Sequence, residues 1–522
     1  MKQHEEITRS AGVVGSLTLL SRIAGYARDM VIAYFFGASA STDAFWVAFR
    51  IPNLLRRLFA EGSLTISFIP VFTDYLEKGN KEEAKKVADT VFTLLFYLLL
   101  LVSIAGVLLS PYIIKLFASG FDEQTFDLAV TLNRIMFPYI LFISLTALSM
   151  GVLNSLRHFF APAISPALAN ICIIAAIFIL QRSLDVPIYA AAIGVILGGV
   201  LQFVLQLPFL KREGFQFGFK KSLRHPAVKR IGLLILPQLF GVAVYNLNIL
   251  VNTQYASFMP QGSISYLYFA ERLIEFPLGI IAVSIATVLL PSLSSHVSKG
   301  EYEKFRQTYS YTLRLMLFIL IPALVGLIVL RVPICNLLYQ RGEFSYAATI
   351  FTSQAIFGYA LGLWAVGGIR ITAPAFYAMQ DTKTPVIIAF IAFIVNAVFG
   401  YVLGFKLGML HTGLAVASSI SSILNFILLF YLVEKRVGDI KVKEILTLAA
   451  KLIVISLIMG AVVWKFSGII DWNDSGFAWE KIGVLAGSIL LAVAVYFSLA
   501  KLLRVEESDY LFGMIKRRLS RG

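Results

Sequence analysis

Long apolar stretches, each of about 20 residues or more, succeed one another along almost the whole chain, with short polar connections between them. Fourteen are read, at 12–36, 43–74, 88–117, 127–154, 161–181, 188–209, 230–258, 264–293, 308–338, 347–378, 385–405, 413–433, 446–466 and 482–503. A helix needs about 20 apolar residues to cross the hydrocarbon core of a bilayer. The pattern therefore predicts an all-α polytopic membrane protein with fourteen transmembrane helices. The N-terminal MKQHEEITRS is polar and so many segments follow it that the first is read as a retained span, not a cleaved signal peptide.

The connections alternate in charge. One set holds most of the loop lysines and arginines: the N-terminus, 75–87, 155–160, 210–229, 294–307, 379–384, 434–445 and the C-terminal tail. The opposite set holds only Arg182, Arg341, Lys406 and Lys481. Basic loops stay on the cytoplasmic side, so both termini are expected there. The longest exported connection, SGIIDWNDSGFAWEK (467–481), is too short for a separate domain.

The pattern also repeats. FIPVFTDYLEKG (68–79) and LLPSLSSHVSKG (289–300) align at an offset of 221 residues, matching Pro70 with Pro291, Lys78 with Lys299 and Gly79 with Gly300. FPY (137–139) echoes FGY (357–359), and Pro162 echoes Pro385 at nearly the same offset. Spans 1–6 and 7–12 thus read as two parallel six-helix repeats about an axis along the membrane normal. The expected organisation is an N-lobe over 1–215, a C-lobe over 216–437 around a shared central cavity, and two further helices with the tail over 438–522. Such repeats suit a transporter with its substrate site between lobes.

Composition agrees with the hydropathy. The 522 residues are 58% hydrophobic and 14% charged, with mean hydropathy +0.81, against about a quarter charged in soluble domains. The net charge of +15 lies largely in the basic loops, so no nucleic-acid partner is expected. Cys172 and Cys335 sit in apolar runs without metal-ligand spacing, which predicts neither a disulfide nor a metal site.

Charges inside the apolar segments carry the functional argument. Span 1 contains SRIAGYARD (21–29), with Arg22 and Arg28 roughly 15 Å and 24 Å along a helix begun at residue 12, and Asp29 beside them. Span 2 adds Asp43, Arg50, Arg56, Arg57 and Glu61; span 8 adds Glu271, Arg272 and Glu275; span 10 adds Arg370. A central arginine costs about 2.5–3.5 kcal/mol on insertion scales, so these residues must line a watery cavity or pair inside the bundle.

Two readings compete. In one the charges form a structural ion-pair network: Arg57 with Glu61 at i,i+4 and Arg272 with Glu275 at i,i+3 pair within their helices, whereas the adjacent Arg28 and Asp29 do not face one another. In the other, arginines concentrated at the start of each repeat line a cavity for a phosphate-bearing substrate, because the guanidinium fork matches phosphate oxygens and keeps its charge. The histidines lie in loops or tails, which gives no intramembrane histidine relay. No nucleotide loop, metal-binding helix motif or nucleophile elbow occurs, and no catalytic residue is assigned. A different class, a membrane-embedded lipid-linked glycan transferase, would have to use exported acids such as Asp122, Glu123, Asp471 and Asp474, which sit in short turns.

Three stretches carry a family resemblance: SRIAGYARDMVIAYFFGASASTDAFWVAFRIPNLLRRLFAEGSL (21–64), YFAERLIEFPLGIIAVSIATVLLPSLS (268–294) and APAFYAMQDTKTP (373–385). The chain resembles the bacterial MurJ/MviN lipid II flippases, within the superfamily that also holds multidrug and polysaccharide-precursor exporters. The resemblance implies outward movement, by alternating access, of the undecaprenyl-pyrophosphate-linked peptidoglycan precursor across the bacterial cytoplasmic membrane. Export of another polyprenyl-linked glycan or of a drug is the alternative within the superfamily. It also implies substrate-binding arginines at Arg22, Arg28, Arg56 and Arg272, an important acid at Asp43, and a hydrophobic groove for the polyprenyl tail at spans 13 and 14. No cofactor is implied, the membrane potential is the expected drive, and peptidoglycan-synthesis proteins are candidate partners. Some relatives hold sodium with acids in spans 7 and 11. This chain departs from that pattern, with amides there such as Asn246, Asn248, Asn252 and Asn396 in place of acids.

Overall fold

The structure is a computed structural model and describes residues 2–56, 63–78, 81–219, 225–474 and 478–508. Among these it contains eighteen α-helices, one π-helical turn at Val402–Lys406, and no strand. Each of the fourteen apolar segments holds one helix or two consecutive ones. By length and apolar composition nine stretches of the described residues qualify to cross a membrane, ten when one bent pair is counted. Their outward surface is apolar, with Leu101, Leu108 and Leu490 exposed by 65%, 70% and 71%. Aqueous solvent would penalise a continuous surface of this kind, and lipid favours it.

Contacts divide the chain into two units, Met1–Gly262 and Ser263–Gly522. The first holds α1 (Lys2–Phe36), α2 (Ala40–Arg56), α3 (Ser63–Glu77), α4 (Lys81–Leu108), α5 (Ser110–Ala118), α6 (Glu123–Met136), α7 (Tyr139–Ser155), α8 (Phe160–Leu180), α9 (Tyr189–Arg212) and α10 (Pro226–Ser257). Here α1 lies along α8, α8 and α7 pack on α9, and α2 packs on α6. Helix α10, which the sequence repeat counts with the second lobe, packs on α3 and α5. Its C-terminal end is tied to the turn after α5. Ser119 N–H donates to Gln254 Oε1 at 3.0 Å, and Gly120 N–H to Ser257 Oγ at 3.0 Å. A Cβ at Gly120 would lie 2.7 Å from the backbone nitrogen of Phe258, so this approach requires glycine.

The second unit holds α11 (Ser263–Ser298), α12 (Tyr302–Tyr339), α13 (Tyr346–Ala360), α14 (Leu363–Ala378), α15 (Lys383–Tyr401), α16 (Leu410–Val437), α17 (Val442–Ser467) and α18 (Trp479–Leu502). Helices α11 and α12 pack on α13 and α14, α16 on α13, α14 and α15, and α17 on α12 and α18. The last two helices are fastened to α12 at both ends. At one, Asn336 Nδ2 donates to the Trp472 carbonyl at 2.8 Å and Lys481 Nζ donates to Asn336 Oδ1 at 3.3 Å. At the other, Arg314 meets Glu444, Glu506 and Glu507 at 3.4, 3.1 and 2.8 Å. Asp471 and Asp474 belong to this turn, where the Asp471 carboxylate accepts the Asn473 N–H.

Local structure carries the repeat further than the sequence does. The Asp122 carboxylate caps α6 by accepting the Thr125 N–H at 3.0 Å, and Ser345 Oγ caps α13 by accepting the Ala348 N–H at 3.2 Å. Arg157 after α7 and Gln380 after α14 both adopt the left-handed conformation, with φ 62° and 60°. Both pairs are 223 residues apart, as are Pro162 and Pro385. Helix is interrupted at Phe137–Pro138 in one unit and at Leu361–Gly362 in the other, where α13 and α14 are bent by 43°. In this register the partner of Phe137 is Ala360. The expected match of FPY with FGY, at an offset of 220, is therefore corrected by about one helical turn. Three letters fixed that match, whereas caps and breaks fix the true register.

The connection between α14 and α15 shows how such turns are held. Asp381 Oδ1 accepts the Lys383 and Thr384 N–H groups at 3.0 Å each, and Arg436 at the end of α16 reaches Oδ2 at 2.5 Å. Burial opposes the charge on Asp381, but the Thr384 and Arg436 hydrogen bonds outweigh it and hold the pKa down to about 2, against 3.8 unperturbed. A depressed carboxylate pKa contributes stability above the unfolded value and loses it as pH falls through the folded one. Asp381→Asn is expected to lower stability by about 2 kcal/mol at pH 6, an order-of-magnitude figure from the shift. The gap from wild type should close between about pH 4 and pH 2. Thermal unfolding in detergent across that range checks it, and a gap constant with pH refutes it.

Candidate functional site

In the first unit the sequence-flagged charges lie on α1 and α2 and reach partners on α8 and α10. Arg28 is 7% exposed and Asp29 fully buried. The Arg28 Nε and Nη2 groups donate to Asp29 Oδ1 at 3.0 and 2.6 Å, and Nη1 donates to Asn170 Oδ1 on α8 at 3.1 Å. Asn170 Nδ2 in turn donates to the Ser21 carbonyl at 3.4 Å. The Phe49 ring of α2 lies 5.5 Å from the guanidinium carbon. The expectation that Arg28 and Asp29 do not face one another is thus corrected. Their Cβ atoms diverge, but the long arginine side chain folds back and its fork closes on the short carboxylate. Arg22, six residues earlier and about 120° round the axis, is half-buried.

Helix α2 supplies three more of these residues. Asp43, 3% exposed, accepts the Gly262 N–H at 2.7 Å, and Gly262 has φ +91°. Arg50 donates to Thr253 Oγ1 of α10 at 2.6 Å, and Arg56 Nε to Asn53 Oδ1 at 3.2 Å. Arg57 and Glu61 lie outside the described residues. The sequence reading missed the neutral partners Asn170, Thr253 and Asn53. The signal for Asn170 was present: an amide in the middle of the apolar run 161–181, where an amide seeks a partner on another helix.

In the second unit, Tyr268, Glu271, Arg272, Glu275 and Phe276 recur every three or four residues on α11. They form the face that its packing within the unit leaves open. Arg272 pairs with Glu275 at 3.3 Å as the i,i+3 spacing predicts, with side chains 30% and 44% exposed. Arg370 is half-buried on α14 and makes no hydrogen bond or ion pair among the described residues. The arginines therefore differ in kind. Arg28 lies within a buried network, whereas Arg272 is partly exposed and its pair with Glu275 is one that a phosphate oxygen could compete for. Among the described residues no group of three or more His, Cys, Asp or Glu could hold a metal ion.

Two all-helical units, with arginines in membrane-depth segments of each, define a multi-span membrane transporter. The fold agrees: an inward-facing multidrug resistance MATE family transporter of the MOP superfamily matches with a TM-score of 0.69, covering 83% of this chain and 99% of that one at 17% identity. The family is more specific. Residues 32–482 match the model of the lipid II flippase MurJ family. The lipid II flippase MurJ of Burkholderia cenocepacia is 38% identical over 94% of this chain and 96% of its own length. The probable lipid II flippase MurJ of Vibrio cholerae is 36% identical over 97% and 98%. A solved lipid II flippase MurJ in an inward closed conformation matches with a TM-score of 0.79 and 30% identity, covering 94% of this chain and 98% of that one. The chain belongs to the MurJ lipid II flippase family.

Proposed function

We propose that this protein moves lipid II from the cytoplasmic to the outer leaflet of the bacterial inner membrane by alternating access between two lobes. The near full-length likeness to lipid II flippases, which are transporters and not enzymes, carries the reading. The arginines of α1, α2 and α11 give it a chemistry, with Arg22, Arg28, Arg56 and Arg272 binding the pyrophosphate in an arginine-lined cavity. A guanidinium donates two parallel N–H groups to a phosphate and cannot lose its proton, so it stays competent where water is scarce. Asp43, Arg50, Glu271, Glu275 and Arg370 serve as pairing or lining residues, and spans 13 and 14 as the groove for the polyprenyl tail. The fourteen-span topology, with both termini cytoplasmic, rests on the charge alternation of the loops.

A pyrophosphate of about two negative charges moving outward runs down an inside-negative potential, gaining about 2.3 kcal/mol per charge per 100 mV. The protein then needs only to give the headgroup a polar path and alternate its access. The test is a leaflet-accessibility assay for lipid II after depletion and rescue. Lipid II should accumulate on the cytoplasmic leaflet during depletion and become accessible outside on rescue. Normal wall synthesis with loss of a surface polysaccharide would instead assign a different lipid-linked glycan.

A further inference from the structure

Outside the proposed pyrophosphate site, each unit has one arginine that lies on, or packs against, the same half-helix of the repeat. Arg134 lies on α6, one turn before the interruption at Phe137–Pro138. It is exposed, and it forms no hydrogen bond or ion pair among the described residues. At the 223-residue offset set by the Asp122 and Ser345 caps, its counterpart is Phe357 on α13. The Phe357 ring is itself covered by a guanidinium, that of Arg331 on α12, with 5.4 Å from carbon to ring centroid. Arg331 is half-buried and has no acidic or hydrogen-bonding partner among the described residues. Each unit thus sets one guanidinium at the same point of its equivalent half-helix, reached from different helices.

One turn nearer the helix start, Thr131 in one unit corresponds to Gln354 in the other. Thr131 Oγ1 donates to the Asp127 carbonyl of its own helix at 3.0 Å, whereas the Gln354 side chain is exposed without a hydrogen-bond partner among the described residues. Both arginines lie within stretches that qualify as membrane spans. On α6 the exposed Asp122, Glu123 and Asp127 mark where the helix leaves the apolar region, and Arg134 lies seven residues further in, about 10 Å along the axis. An extended arginine covers much of that distance and brings its charge to headgroup level. A guanidinium at this depth with no carboxylate partner needs an anion, and the one a bilayer supplies in quantity is the phospholipid phosphate.

We infer that Arg134 in the first unit, and Arg331 held on Phe357 with Gln354 beside it in the second, each bind the phosphate of a phospholipid on the lipid-facing surface. The leaflet follows from the orientation proposed above and is the exported one. The phosphate chemistry does not depend on that orientation. The two sites would anchor the matching half-helices of both units to the same headgroup layer, apart from the path of the transported lipid.

Native mass spectrometry of the full chain in detergent, titrated with phosphatidylglycerol, tests the proposal. Wild type should hold two tight adducts. Arg134→Ala and Arg331→Ala should each weaken one about tenfold, the expected loss of a charge-assisted pair, and the double variant should lose both. Phe357→Leu should weaken only the second. Arg134→Lys and Arg331→Lys, which keep the charge, should retain intermediate binding and serve if an alanine variant misfolds. Wild-type adducts on the double variant would overturn the proposal, as would equal dependence of phosphate-free diacylglycerol on the arginines. Displacement by millimolar inorganic phosphate would assign the sites to a soluble anion and overturn the lipid. Gln124→Cys in a Cys172→Ser background, probed in spheroplasts with an impermeant maleimide, reads the orientation separately. Labelling supports the exported leaflet; labelling only after lysis reverses the leaflet while the adduct counts still judge the phosphate sites.

Discussion

Arg272→Ala is expected to abolish complementation of a depleted flippase while the variant inserts and accumulates at near wild-type levels. Both halves of the expectation come from the same geometry. The Arg272–Glu275 pair is 3.3 Å long, within one helix, and its side chains are 30% and 44% exposed. Pairs of this kind contribute about 0–1 kcal/mol, so loss of this pair costs the fold little. A phosphate bound by a guanidinium loses charge-assisted hydrogen bonds of about 1.5–3 kcal/mol each, which corresponds to a tenfold to hundredfold loss or more. Arg272→Lys keeps the sign but not the fork and should fall between. Immunoblots of the membrane fraction beside the lipid II leaflet assay separate the outcomes. If Arg272→Ala disappears from the membrane, the residue is part of a structural network and the binding role is refuted.

Hydropathy located the helices because a bilayer demands long apolar runs, and the described part of each run is helix to within a few residues. It could not show interruptions, since Pro138 and Gly362 change local backbone geometry without changing apolar content. Register was hidden for a related reason. Lipid-facing positions tolerate any apolar residue, so FPY and FGY could match by chance, while Asp122 and Ser345 perform one capping task with different letters. At the site, the charged residues were legible because a charge in an apolar run has few innocent explanations. Their partners were not. The rule that neighbours at i,i+1 do not face one another describes Cβ directions and fails for Arg28, whose terminal nitrogens lie well beyond its Cβ. Arg134 and Arg331 escaped the sequence reading because neither lies in a cluster and neither has an acid at helical spacing. Only the equivalence of α6, which carries Arg134, with α13, on whose Phe357 ring Arg331 packs, brings them together.

Asp29→Asn is expected to behave in the opposite way to Arg272→Ala, with the protein lost from the membrane instead of inactive within it. Asp29 is fully buried, and its Oδ1 takes two of the Arg28 donors at 3.0 and 2.6 Å. An asparagine keeps the shape and one acceptor but removes the charge, leaving a buried guanidinium against a neutral amide. Breaking one side of a buried pair costs about 3–5 kcal/mol, a large share of a typical folding free energy. Replacing both members in Arg28→Ala/Asp29→Ala removes the uncompensated charge and should recover abundance relative to Asp29→Asn, a coupling that a double-mutant cycle measures. Lipid II flipping then decides what Arg28 is for. Recovered abundance without flipping assigns Arg28 a part in substrate binding beyond its structural bond. Recovered abundance with flipping makes the Arg28–Asp29–Asn170 network a fastening of α1 to α8 and shifts pyrophosphate binding to Arg22, Arg56 and Arg272. Normal accumulation of Asp29→Asn would refute the premise that the buried pair stabilises the first unit.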